Sequence, residues 1–244
     1  MKPYPLMINL QGRRVIVVGG GRVALRKVAG LLESGAEVAV ISPEMEPGLE
    51  ELARQDAIVW VRKCFDELLL DSYSDIALIF GTTNSREVNV AIYEEAAKRK
   101  IPCNIADVPD LCTFIVPAVI NQGDLMIAVS TGGSSPALAR RIREDLSRRF
   151  GPEYAEMTRI MGEVRKLVLG TGNSSDENKK VFLEIVDSEI LPAIKDNDWE
   201  RALEILRTIL PQNIAPLEII RAVVPDYSEE QTAQGERPRP MNKG

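Results

Sequence analysis

The chain contains no histidine at all. That removes the commonest general base near neutral pH and the commonest metal ligand, so any proton transfer falls to Asp, Glu, Lys, Tyr or Cys. Cysteine is scarce too: Cys64, Cys103 and Cys112 are odd in number and lack C-x-x-C spacing. They read as reduced, structural thiols rather than a disulfide framework or a metal cluster, and no metal ligand is expected. No apolar run reaches the ~18 residues of a membrane helix. Lys2 and Pro3 lead into a short mixed segment rather than a signal peptide, so a cytoplasmic protein with no membrane partner is expected. A net charge of −6 argues against a nucleic-acid partner. What remains is 244 residues, 45% hydrophobic, enough for one large or two modest domains with ample core.

The most informative stretch runs from Arg13 to Ala24. Val15-Ile16-Val17-Val18 reads as a strand buried on both faces, and Val23, Ala24, Val28, Leu31 and Leu32 follow at helical spacing. Between them Gly19-x-Gly21-x-x-Ala24 fits the dinucleotide fingerprint. Gly19 permits the tight turn, Gly21 admits a pyrophosphate to the backbone, and Ala24 lets helix and strand pack closely. The helix N-terminus then offers free N–H groups to the phosphates. A glycine-rich turn without a ligand is the competing reading of the motif. Gly19, Gly20, Gly21, Arg22, Val23 and Ala24 are the first cofactor-binding candidates. An acid about 20 residues further on often holds the ribose of NAD. This chain has Ser42-Pro43 there, with Glu44 beyond, so the choice between NAD and NADP stays open.

Further strands are predicted at 37–41, 57–61, 75–80 and 101–105, alternating with helices at 45–55, 66–70 and 86–100, the last capped by Asn84 or Ser85. Five strands alternating with helices predict an α/β fold of Rossmann type, a doubly wound parallel sheet. Ligands in such sheets bind beyond the carboxyl ends of the strands, which adds Ser42, Pro43, Thr82, Thr83 and Asn84 for the cofactor and brings Asp107 into view. The pattern then changes. Phe114 to Ile120 and Leu125 to Ser130, around a turn at 121–124, predict an antiparallel pair, marginal alone and therefore in need of a partner sheet. Ser130-Thr131-Gly132-Gly133-Ser134 is a polar loop before a helix capped by Ser135 with Pro136 in its first turn. Helices are predicted over 154–169, 177–194, 198–210 and 216–223. The expected domains are 1–113 for NAD binding, 114–150 for dimerisation and substrate framing, 151–225 as a helical C-terminal domain, and 226–244 as a disordered tail.

One ordered set of motifs resembles a known family. It comprises Ile16 to Lys27 around the glycines, Phe65-Asp66, Asn104-x-x-Asp107, Phe114-Ile115-x-Pro117-Ala118, and Ser130 through Pro136 to Arg140. The set is similar to precorrin-2 dehydrogenase, the siroheme-synthase module that is often also a sirohydrochlorin ferrochelatase. It matches closely over roughly residues 6 to 150. The resemblance implies NAD-dependent oxidation of precorrin-2 to sirohydrochlorin, with insertion of Fe²⁺ as a second substrate in bifunctional members, and an intertwined homodimer. Many relatives carry a C-terminal methyltransferase domain; 244 residues leave no room for one, so a separate enzyme is expected to supply the methylations.

The resemblance makes Asp107 the catalytic residue, handling the proton in a chain without histidine; a turn residue before Pro109 is the blander reading, and Asp110 stands close by. It makes Ser130, Thr131, Gly132, Gly133, Ser134, Arg140 and Arg141 the substrate-binding set, several guanidiniums facing a tetrapyrrole rich in acetate and propionate groups. Against that, the arginines could form a solvated helix face laced with Glu144 and Asp145. A non-enzymatic nucleotide-sensing dimer, or a dehydrogenase of another small substrate, would use the same nucleotide unit without needing Asp107 or the arginine helix. The residues do not separate a dehydrogenase from a bifunctional enzyme.

Overall fold

In strand β1 (Arg14–Val18), Val15, Ile16, Val17 and Val18 are all buried. Side chains alternate across a strand, so a strand apolar at every position must be covered on both faces. The structure, a computed structural model describing residues 3–170 and 174–227, shows both covers. β1 is central in a five-stranded parallel sheet of order β3-β2-β1-β4-β5, with β2 (Glu37–Ile41), β3 (Val59–Val61), β4 (Ile76–Gly81) and β5 (Cys103–Ile105). Val15, Val17, Val38, Val40 and Phe80 pack on one face with helices α1 (Arg22–Glu33) and α2 (Pro47–Arg54). Ile16, Val18, Ile41, Ile79 and Ile105 pack on the other with α3 (Arg86–Lys98) and the 3₁₀ turn Glu67–Ser72. Each fully buried Val or Ile contributes about 1.5–3 kcal/mol.

Strands β3 and β5 are shorter than the patterns at 57–61 and 101–105 predict. Asp56 and Lys100 adopt left-handed backbone just before them, at φ 55° and 57°, and Pro102 has no N–H to give a ladder. Ser85, not Asn84, caps α3, its Oγ accepting from Val88 N at 3.3 Å. On α3, Glu95 is 6% exposed and accepts from Arg99 Nε at 2.6 Å and Lys98 Nζ at 3.1 Å. The hydrogen bond from Arg99 first, then that from Lys98, holds the Glu95 carboxyl below its ordinary range. A depressed folded pKa gives stability that is present above the unfolded value, about 4.3, and lost as pH falls through the folded one. Glu95→Gln should therefore flatten the acid limb of Tm against pH; an unchanged acid limb would show that the ion cluster carries no such coupling.

Residues 3–116 with 132–134 form one compact unit; 117–131 with 135–170 and 174–227 form the second. The second unit opens with the hairpin β6 (Ala118–Gln122) and β7 (Leu125–Val129), antiparallel, with Asn121 opposite Met126. The predicted strand from Phe114 is corrected: Phe114 lies in the first unit, its ring edge-on to Phe80 at 5.5 Å, and Pro117 interrupts the chain before the ladder begins. The predicted turn at 121–124 shrinks to Gly123-Asp124 because Asn121 and Gln122 extend β6. Helix α4 (Pro136–Arg149) packs on the hairpin, and Gln122 Nε2 donates to the Phe150 carbonyl at 3.0 Å beyond it.

Helices α5 (Glu153–Leu169), α6 (Ser175–Val186), α7 (Ile190–Lys195), α8 (Trp199–Ile209) and α9 (Pro216–Val223) share a core of Ile160, Val164, Ile185, Leu203, Leu206 and Ile220. The helix predicted over 177–194 is two helices. Ser188 Oγ bonds back to the Ile185 carbonyl at 2.8 Å and accepts from Ile190 N at 3.3 Å, ending α6 and starting α7. Tyr227, expected in the tail, is buried in this core at 4% exposure; the rest of that expectation, 228–244, lies outside the described residues.

Candidate functional site

The glycine loop is shaped by what its neighbours leave no room for. Gly19 has φ 111°, and a Cβ there would stand 2.6 Å from Thr82 Oγ1 and 2.9 Å from the Thr82 backbone. A Cβ on Gly20 would run into the Glu44 carbonyl. Thr82 N and Oγ1 both donate to the Val18 carbonyl, at 2.8 and 2.9 Å, tying the ends of β1 and β4 together. Gly21 is different: it caps α1 with extended backbone, no side-chain cap bond, no acidic residue in the first turn, and nothing within 4 Å of a would-be Cβ. The N–H groups of Arg22, Val23 and Ala24 thus begin a helix without a competing anion, and the space before them is open. That cradle fits a pyrophosphate, with Gly19 to Ala24 around it.

Ser42 and Pro43 follow β2 as expected, but Ser42 is buried. Its Oγ donates to the Glu44 carbonyl at 2.6 Å, and its own carbonyl accepts from Trp60 Nε1 at 2.9 Å, so it shapes the loop while Pro43 is exposed. Thr83 and Asn84 follow β4; Thr83 Oγ1 lies 2.8 Å from Asn89 Oδ1, and Asn89 Nδ2 donates to the Thr83 carbonyl at 3.0 Å. Asn84 is exposed.

Asp107 stands two residues beyond β5, exposed, at φ 61°. Asp and Asn tolerate this left-handed region better than other non-glycine residues, and strained backbone of this kind clusters at functional sites. Asp110 is also exposed but sits inside the 3₁₀ turn Pro109–Leu111. Behind Asp107, Lys27 on α1 reaches across β4: its Nζ lies 4.8 Å from the Phe80 ring centroid and donates to Asn104 Oδ1 at 3.1 Å. Asn104 Nδ2 donates to the Phe114 carbonyl at 3.0 Å. Burial chiefly, with Arg26 adding to it, holds the Lys27 ammonium pKa below its ordinary value, while Cys112 and Asp107 act in the opposite sense. Cys112 Sγ lies within 3.3 Å of Ile105 N, Ile105 O and Val108 O, and its pKa is raised by burial; Cys103 is pushed up to about 12, again chiefly by burial. Neither is a thiolate at neutral pH. Among the described residues no group of three Cys, Asp or Glu could hold a metal ion.

The loop Ser130 to Ser134 runs from β7 to α4, with Gly132 at φ 62° and Gly133 at φ 87°, and Gly132, Gly133 and Ser134 exposed. Thr131 Oγ1 accepts from Ser135 N and donates to Ser135 O, both at 3.0 Å. Ser135 caps α4 as the sequence predicts. Arg140 and Arg141 are exposed on α4, paired with Glu144 at 2.9 Å and Asp145 at 3.5 Å. Such exposed pairs are worth ~0–1 kcal/mol.

Residues 6–118 match the family described as "Putative NAD(P)-binding", and residues 122–149 match "Sirohaem biosynthesis protein central". Siroheme synthase of Methylobacillus flagellatus is 32% identical over 210 residues, 86% of this chain and 44% of that protein. Siroheme synthase 1 of Serratia proteamaculans is 35% identical over 182 residues, 75% of this chain and 38% of that protein. The solved structure of SirC, precorrin-2 dehydrogenase, superposes with TM-score 0.70 at 29% identity, covering 85% of this chain and 98% of that one. This chain belongs to the siroheme synthase family. It spans less than half the length of the curated siroheme synthases it matches. The stretch that matches the NAD(P)-binding model is this chain's Rossmann unit.

Two buried or half-buried polar residues beside the candidate site are not marked by any local pattern in the sequence. Asn89 was only a polar position on α3, yet it is 5% exposed and fixes the Thr83 loop. Lys27 stood within the quoted motif without a role; its contact with Asn104 spans 77 residues of sequence, and no local pattern carries that. The available signal was a lysine one turn after Ala24, on the helix face that packs against the sheet.

Proposed function

We propose that the chain oxidises precorrin-2 to sirohydrochlorin in siroheme biosynthesis, as a cytoplasmic enzyme. The observation that carries this reading is the open α1 cradle and the exposed, left-handed Asp107 at carboxyl ends of one sheet, in a chain that covers nearly all of a solved precorrin-2 dehydrogenase. NAD, when bound, supplies the hydride acceptor. Gly19 to Ala24 hold its phosphates and the Ser42-Pro43 and Thr82 to Asn84 loops border it. Asp107 takes the proton that leaves with the hydride, so each turnover yields sirohydrochlorin, NADH and one proton. Arg140 and Arg141, with Ser130 to Ser134, bind the acetate and propionate carboxylates. Where Fe²⁺ is also a substrate, two pyrrole protons leave as it enters, and Asp107 is the proton acceptor there too. Anaerobic incubation with precorrin-2, NAD⁺ and Fe²⁺, reading NADH, sirohydrochlorin and siroheme by separate absorbance bands, tests all of this. NAD⁺ binding without NADH formation would favour a nucleotide sensor.

Assembly is part of the proposal. Among the described residues the hairpin β6–β7 pairs with no further strand, and Met126 and Leu138 are 49% and 52% exposed on β7 and α4. Two strands with an uncovered apolar face want a partner sheet, so we expect a homodimer built on residues 117–129. Light scattering should report about twice the chain mass of 27.0 kDa; a monomer across micromolar concentrations would sink the dimer.

A further inference from the structure

We propose that Lys27 is a positioning residue for the reaction at Asp107: from α1 it fixes the Asn104 side-chain amide and with it the end of β5 on which Asp107 stands. The proposal rests on the reading of Asp107 given above. Three observations carry it. Lys27 occupies a half-buried position between buried Ala24 and Val28, where an apolar side chain would cover Phe80 without any desolvation cost. Its ammonium spends that position on Asn104 Oδ1 at 3.1 Å. Asn104 is itself 8% exposed and turns its Nδ2 to the Phe114 carbonyl at 3.0 Å and toward Cys112 Sγ at 3.6 Å. One amide thus joins α1, β5 and the segment after the sheet. The two ends of an amide are nearly identical in shape, so the donor at Oδ1 decides which way it faces. A cation there admits only the oxygen. With the amide reversed, the Phe114 carbonyl would face an oxygen, and the three-residue path from Asn104 to Asp107 would lose its anchor.

The charged and titratable neighbours agree with this placement. Arg26 precedes Lys27 on α1, and Cys112 and Asp107 face it from beyond β5. Asp107 is the one carboxylate among them, and its charge favours the Lys27 ammonium against burial and Arg26.

The test compares Lys27→Met, which keeps the stem over Phe80, with Lys27→Arg, which keeps charge and donor, in the full chain. Lys27→Gln covers the case in which the methionine variant fails to fold, and its losses should match those of methionine. Small displacements of a catalytic group can cost up to ~100-fold, so kcat for precorrin-2 oxidation should fall about 10–100-fold in Lys27→Met. KM for precorrin-2 and Kd for NAD⁺ should stay within about twofold, and Lys27→Arg should recover most of kcat. Combining Lys27→Met with Asn104→Ala should cost no more than Asn104→Ala alone, since both break one tie. Independently of activity, the Asn104 side-chain amide resonances should shift and exchange faster with solvent in Lys27→Met and return in Lys27→Arg. A normal kcat, a loss in KM alone, or fully additive losses would overturn the proposal. Failure of the wild-type chain to form NADH would overturn the activity reading instead, and the amide resonances would still decide whether Lys27 fixes Asn104.

Discussion

Replacing Asp107 with asparagine should lower turnover of precorrin-2 by ~10²–10⁴-fold, the usual contribution of a general acid or base. NAD⁺ affinity and thermal stability should hold. Asparagine is the better probe because Asp107 adopts φ 61°, a conformation Asn tolerates as Asp does. Asp107→Ala removes the same carboxylate but adds about 1 kcal/mol of backbone strain, so a melt must accompany it. Iron insertion, where present, should fall together with oxidation. Asp110→Ala is the control: Asp110 lies within the 3₁₀ turn at the same surface and should lose much less. Near-normal turnover in Asp107→Asn with loss in Asp110→Ala would reverse the assignment. Loss of oxidation alone would separate the two reactions and leave chelation to groups that hold the macrocycle.

Gly21→Asp should weaken NAD⁺ binding at least tenfold, about 1.4 kcal/mol, without unfolding the chain. Nothing lies within 4 Å of a Cβ at Gly21, so the fold accommodates the side chain. The carboxylate would stand at the N-terminus of α1, where it caps the same N–H groups that a pyrophosphate would use and repels it. Gly20→Ala makes the contrast. Its methyl would collide with the Glu44 backbone carbonyl, and its cost should appear in Tm as well as in cofactor affinity. Unchanged NAD⁺ affinity in a folded Gly21→Asp variant would move the nucleotide elsewhere.

The sequence by itself determined the sheet and its cradle. Apolar runs at 15–18, 38–41 and 76–80 are long enough to demand cover on both faces, and the glycines at 19–21 allow one kind of turn; both signals are local, and the structure carries them out within a few residues. The cap of α4 was legible for the same reason: Ser135 with Pro136 acts within one helical turn. Tertiary structure decided what depends on partners distant in the chain. Phe114 looked like the start of a strand because its neighbours are apolar, but the ring of Phe80 and the amide of Asn104 hold it in the first unit. Ser42 occupied the ribose position by count, and the fold turned its hydroxyl onto the Glu44 carbonyl. Lys27 acquired its place at the site only when α1 was laid across β4 with β5 alongside. Hydrophobic period and turn chemistry are written in neighbouring residues, whereas the choice of partner for a buried polar group is made by packing.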